Sequence, residues 1–138
     1  MERISNVLLI DDDFASNFLH KIFLERLKII DNIHIVNNGK QALELLFDKS
    51  HQPLVVPELI FLDINMPIMD GWDFLDEYQK IVGTAQSKII MLSASANPAD
   101  EKKAIAHPCV FQFGSKPFNE AKLLHLLAQI KISDGSNT

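Results

Sequence analysis

The chain has 138 residues, 47% of them hydrophobic and 22% charged, enough for one well-buried core and small for two. Its formal net charge of -5 and the absence of a Lys/Arg cluster argue against a direct grip on nucleic-acid phosphates, which needs concentrated positive charge. A single Cys109 forbids an internal disulfide, no basic start leads into a long apolar stretch and no segment is long enough to span a bilayer, so neither secretion nor membrane insertion is expected, and the cytoplasm is the expected compartment.

Short apolar runs alternate with amphipathic stretches from Val7 to Ile130, the pattern of a parallel sheet with crossover helices, in about five βα units. The first strand, Val7 to Ile10, runs into Asp11, Asp12 and Asp13. In the first helix Phe18, Leu19, Ile22 and Phe23 recur at helical spacing and are expected to face the core, with Lys21, Glu25 and Arg26 mainly on the other side. Ile33 to Val36 is the second strand, turned by Asn37-Asn38-Gly39 into a helix carrying Ala42, Leu43, Leu46 and Phe47.

Pro53 and Pro57 break any regular element in the stretch Ser50 to Pro57, which is therefore expected to be a long loop whose Leu54, Val55 and Val56, between the prolines, cover a neighbouring surface. The third strand, Leu59 to Asp63, ends in an acid, and Gly71 precedes a helix with Phe74, Leu75, Tyr78, Ile81 and Val82. After the fourth strand, Ile89 to Ser93, Asn97-Pro98-Ala99-Asp100 combines a capping side chain, a proline at the first helical position and an acid in the first turn. The fifth strand runs from Val110 towards Lys116. Asn119 caps a last helix that buries Leu123, Leu126, Leu127 and Ile130, and a polar tail is expected over residues 133–138. There is no internal repeat, low-complexity tract or linker, so one domain is expected, with its core over about residues 6–131 and any output domain on another molecule.

In an open parallel sheet the groups that end these strands converge at the carboxyl-terminal edge, where such folds bind ligands. Carboxylates gathered there repel: at ~4 Å and an effective dielectric near 20, each pair costs about 4 kcal/mol. A hard divalent cation such as Mg2+, or Mn2+, suits an all-oxygen site, and Lys116 adds a fixed positive charge. A site so balanced receives a tetrahedral anion, and phosphoryl transfer needs little more than an in-line nucleophile, a metal and donors for the equatorial oxygens. On this reading Asp63 is the nucleophile, Asp11 and Asp12 hold the metal, and Ser93 and Lys116 bind the phosphoryl oxygens.

With these residues in place, the chain resembles a response-regulator receiver domain of two-component signalling. The likeness runs from the acidic cluster through Leu62-Asp63-Ile64-Asn65-Met66-Pro67-Ile68-Met69-Asp70-Gly71 to Ser93-Ala94 and Lys116-Pro117-Phe118. It implies a flavodoxin-like, doubly wound α/β fold with five parallel strands in the order 2-1-3-4-5 and helices on both faces. It implies Asp63 as phosphoacceptor, Asp12 as direct metal ligand, Asp11 acting largely through water, and the backbone carbonyl of Asn65 completing the metal shell. Pro67, Gly71 and Pro117 become structural positions, with a cis peptide between Lys116 and Pro117. The implied switch moves the Ser93 hydroxyl toward the phosphoryl group while Phe113 swings inward, reshaping the face of the fourth helix, fifth strand and fifth helix. Phe113 lacks the hydroxyl of the tyrosine often found there, and His107-Pro108-Cys109 replaces the usual glycine-containing turn.

The expected function is thus a stand-alone response regulator taking a phosphoryl group from a histidine kinase or histidine phosphotransfer protein, its own chemistry limited to that transfer and slow self-hydrolysis. Phosphorylation-dependent homodimerisation through the switching face is one outcome of such a device. The rivals are a metal-dependent phosphohydrolase working through an aspartyl-phosphate, which would want a second acid where Asn65 stands, and a receiver belonging to a larger hybrid kinase. An Asp at a strand end is usually a cap, which suits Asp13. His20, His34, His51, His107 and His125 show no metal-ligand spacing and read as surface or hydrogen-bonded positions. Cys109 reads as a small buried hydrophobe and Trp72 as a packing residue.

Overall fold

A computed structural model describes residues 3–95 and 97–135. The elements in chain order are β1 (Ile4–Ile10), α1 (Phe14–Arg26), β2 (Ile30–Val36), α2 (Gly39–Leu46), β3 (Leu59–Asp63), α3 (Gly71–Val82), β4 (Lys88–Ser93), α4 (Pro98–Ala106), β5 (Val110–Ser115) and α5 (Glu120–Gly135). The strands form one parallel sheet in the order β2-β1-β3-β4-β5, the flavodoxin-like arrangement that the resemblance implied.

Side chains alternate across a pleated strand, so each central strand feeds two cores. Leu8, Ile10, Ile60, Leu62, Ile89 and Met91 pack under Ala42 and Leu46 of α2, Phe74, Leu75 and Tyr78 of α3 and Ala104 of α4. Val7, Leu9, Leu59, Phe61, Ile90 and Leu92 pack on the opposite face with Leu24 of α1 and Leu123 and Leu126 of α5. Burial on both faces is why these strands read as unbroken apolar runs. The helix starts follow the capping chemistry: the side chains of Asp13, Asn38, Asp70 and Asn97 each accept a backbone N–H of the first turn of α1, α2, α3 and α4, and Asn119 accepts from the Lys122 N–H at 2.9 Å.

Four expectations need correction. The inner face of α1 is Asn17, His20 and Leu24, whereas Phe18 and Leu19 are exposed and Ile22 and Phe23 are half-buried; the apolar residues chose the wrong phase because two of the residues turned inward are polar. Leu54 and Val56 do not cover a surface but are themselves exposed, because the loop is held through its backbone, Leu54 N–H donating to Leu46 O at 2.7 Å. Strand β2 begins at Ile30, three residues before the apolar run, since Ile4 pairs with Ile30 and Asn6 with Asn32. Helix α5 continues to Gly135, so residues 133–135 of the expected tail are helical, and 136–138 lie outside the described residues. Among the described residues no helix is long and apolar enough to cross a membrane.

Strand β5 also carries an irregularity: Ile89 pairs with Val110 but Ile90 with Gln112. The extra residue, Phe111, turns toward the α1/α5 core, as a bulge allows. Phe113 is thereby set opposite Met91 and packs on the α2/α3/α4 side.

Candidate functional site

Because the strands are parallel, their carboxyl ends share one edge. The register sets Ile10 beside Leu62, Asp63 beside Leu92 and Ser93 beside Ser115, so Asp11, Asp63, Ser93 and Lys116 emerge at neighbouring points. Carboxylate oxygens of Asp11, Asp12 and Asp63 lie within 4.8 Å of one another. Across them Lys116 Nζ donates to Asp11 Oδ2 at 2.7 Å and lies 3.3 Å from Asp63 Oδ1. The ammonium is the neutralising charge that such a cluster demands.

Asp63 is only 8% exposed. Its burial, and then the Asp11 charge, push its pKa up to about 6, with Lys116 pulling the other way. Burial works against the Lys116 charge, but the hydrogen bond and charge of Asp11, followed by Asp63, outweigh it and raise its pKa. Asp11 Oδ1 accepts the Asp13 N–H at 2.9 Å. Asp13 points to its own helix: it caps α1, and the Ser16 hydroxyl it accepts, with the Ala15 N–H, holds its carboxyl below the usual range.

The other expected residues take no part in these contacts. Ser93 is buried, and its hydroxyl donates to the Ser95 carbonyl rather than toward Asp63. Its own carbonyl accepts the Lys116 N–H at 2.8 Å, and the Lys116–Pro117 peptide is cis. Asn65 and Pro67 are exposed in the loop after β3, and Phe113 is half-buried on β5. Gly71 is buried where α3 begins, its N–H donating to Ile64 O at 2.8 Å.

Some neighbours were not legible as site residues. Asn17, 4% exposed, donates Nδ2 to the Asp11 carbonyl at 2.9 Å. His20 is 2% exposed and stacked on Phe118, a correction to its reading as a surface or hydrogen-bonded histidine, since its Nε2 has no partner. The others are nearer to that reading: His34 meets Asn6 Oδ1, His107 meets Asp76, His125 meets Gln129 and His51 is exposed. Beside the acidic cluster, Asp12, Phe14, Asn17, Phe18, Lys21 and Ile35 line one depression, in which Phe14 is 82% and Phe18 59% exposed.

Comparison with known proteins agrees with this arrangement. The chain is 30% identical over 123 residues to two-component response regulator 24 of Arabidopsis thaliana, covering 89% of this chain and 81% of that protein. It is 31% identical over 136 residues to the probable transcriptional regulator ycf29 of Porphyra purpurea, covering 96% of this chain but 59% of that longer protein. The crystal structure of a two-component response regulator from Cytophaga hutchinsonii superposes with a TM-score of 0.83 at 31% identity, over 94% of this chain and 98% of that one. The family model for the response regulator receiver domain matches residues 7–128, and the chain, carrying the fold and the acidic edge described above, belongs to that family.

Proposed function

We propose that Asp63 is the phosphoacceptor of this receiver, loaded from a phosphohistidine on a histidine kinase or histidine phosphotransfer protein, and that residues 1–138 form one receiver domain. The carrying observation is Lys116 Nζ set between Asp11 and Asp63 in a cluster of three carboxylates. Three carboxylates against one ammonium leave an excess of negative charge and only oxygen donors, which fits a hard divalent cation. Asp11, Asp12, Asp63 and the Asn65 carbonyl would hold Mg2+ or Mn2+, which when bound supplies positive charge toward the phosphoryl oxygens.

The ionised Asp63 oxygen attacks phosphorus, a P–O bond forms and the P–N bond breaks, and the imidazole nitrogen keeps the electron pair and takes up a proton. Lys116 favours the ionised form of Asp63 and donates to the transferred group. The Ser93 hydroxyl, now spent on the Ser95 carbonyl, turns to a phosphoryl oxygen, and Phe113 moves into the space released. The face of α4, β5 and α5, with Ile105 and Leu124 exposed, then presents a changed surface to a partner or to a second copy. The phosphodonor meets the molecule at Phe14 and Phe18, whose depression runs up to Asp12.

The test is mass measurement after incubation with Mg2+ and a small phosphodonor. One phosphoryl mass gained by the wild type and none by Asp63→Asn is expected. No gain, or an equal gain in Asp63→Asn, overturns the proposal.

A further inference from the structure

We propose that His20 is a positioning residue for the Lys116 ammonium, acting through its stack on Phe118; the inference rests on the acceptor reading for its functional consequence. An inward position on α1, one turn before the fully buried Leu24, ordinarily holds an aliphatic side chain. Histidine there buries Nε2 without a partner, a cost that leucine would not incur. Burial drives its pKa down to about 4, so the ring is neutral near pH 7. What it offers in return is a flat face.

That face lies on Phe118 with ring centroids 3.9 Å apart and planes 16° from parallel. The Phe118 ring also meets Phe61 of β3 at 4.7 Å, two residues before Asp63. Phe118 is therefore gripped between α1 and β3, and it stands two residues after Lys116. The Lys116 N–H is tied to Ser93 O at 2.8 Å. Lys116 is thus held by its own backbone at the β4 edge and by the Phe118 ring on the far side of Pro117. One turn earlier on the same face of α1, Asn17 Nδ2 grips the Asp11 carbonyl at 2.9 Å. A single helix face thereby touches the supports of both members of the 2.7 Å Lys116–Asp11 pair, which a general apolar packing role would not require.

Two substitutions separate the ring's face from its bulk. His20→Phe keeps a flat ring, whereas His20→Leu keeps an apolar filler without one. The readouts are the nitrogen-15 signal of the Lys116 ammonium by NMR and the initial rate of phosphoryl uptake from acetyl phosphate at saturating Mg2+. His20→Leu should shift or broaden the ammonium signal and slow uptake about tenfold, as a small misplacement of a reacting group does, while His20→Phe stays within roughly twofold of wild type. Phe118→Leu, which removes the other half of the stack, should repeat the His20→Leu result and decides the matter if His20→Leu does not fold. An unchanged ammonium signal in the folded leucine variants, or an equal loss in His20→Phe, overturns the inference. A wild-type protein that takes up no phosphoryl group sinks the acceptor reading instead, and the ammonium signal still decides the role of His20.

Discussion

A Cβ placed on Gly71 would sit 2.5 Å from the Asp63 carbonyl oxygen and 3.1 Å from Ile64 Cα. The start of α3 is pressed directly on the end of β3, and only a residue without a side chain lets the Gly71 N–H reach Ile64 O. Gly71→Ala must therefore push backbone against backbone and move the Asp63 strand end. A loss of about 1–3 kcal/mol in denaturant unfolding is expected, as for overpacked sites, together with slower phosphoryl uptake. Wild-type stability in Gly71→Ala would mean that α3 can retreat freely.

Asp63 gives the fold a pH dependence in metal-free solution. Its folded pKa is raised from 3.8 to about 6, so only well below pH 3.8 are both folded and unfolded forms protonated, with nothing lost. As pH rises through that window the unfolded state ionises first, and stability falls until both forms are charged above about pH 6. Asp63→Asn removes the cost. The variant should be about 2–3 kcal/mol more stable than wild type at pH 7.5 in EDTA, with the gap closing toward pH 4. Urea melts across that range check it, and a gap independent of pH would exclude Asp63 ionisation as its source.

Lys116→Met leaves the carboxylates of Asp11 and Asp63 without their ammonium. Stability at pH 8 in EDTA should drop by about 3 kcal/mol, the scale of breaking a buried pair from one side. Added Mg2+ should recover part of that loss without restoring phosphoryl uptake. Full recovery of uptake would remove Lys116 from the transfer chemistry.

Phe14 and Phe18 lie in the solvent, their rings 6.3 Å apart and stacked. A Phe14→Ser, Phe18→Ser double variant should unfold within about 0.5 kcal/mol of wild type, as exposed positions do. Transfer from a phosphohistidine-bearing protein should slow far more than transfer from a small phosphodonor. Equal slowing with both donors would place these rings in the chemistry rather than in docking.

Much of this arrangement was readable in the chain. The runs leading up to Asp11, Asp63 and Ser93 are apolar because both faces of the sheet are covered, and Asn97-Pro98 and Asn119 announce their helices through local hydrogen bonds. Helix α1 was misread for the same reason that made the strands easy. Periodicity weighs apolar residues, and Asn17 and His20 turn inward for contacts with Asp11 and Phe118 that a local pattern does not contain. The extra residue in β5 was equally silent, since it exists only relative to the register of β4.

By itself, the amino-acid order determined which residues are acidic, basic or hydroxylic at the strand ends, and hence the kind of chemistry the edge can support. Only the folded chain decided that Lys116 lies against Asp11 across 105 positions, that Gly71 abuts Asp63 and that Phe14 faces solvent. Those outcomes depend on sheet register and on which side of each helix is pressed to the sheet. Both are set by packing over the whole molecule, so no local stretch of sequence carries them.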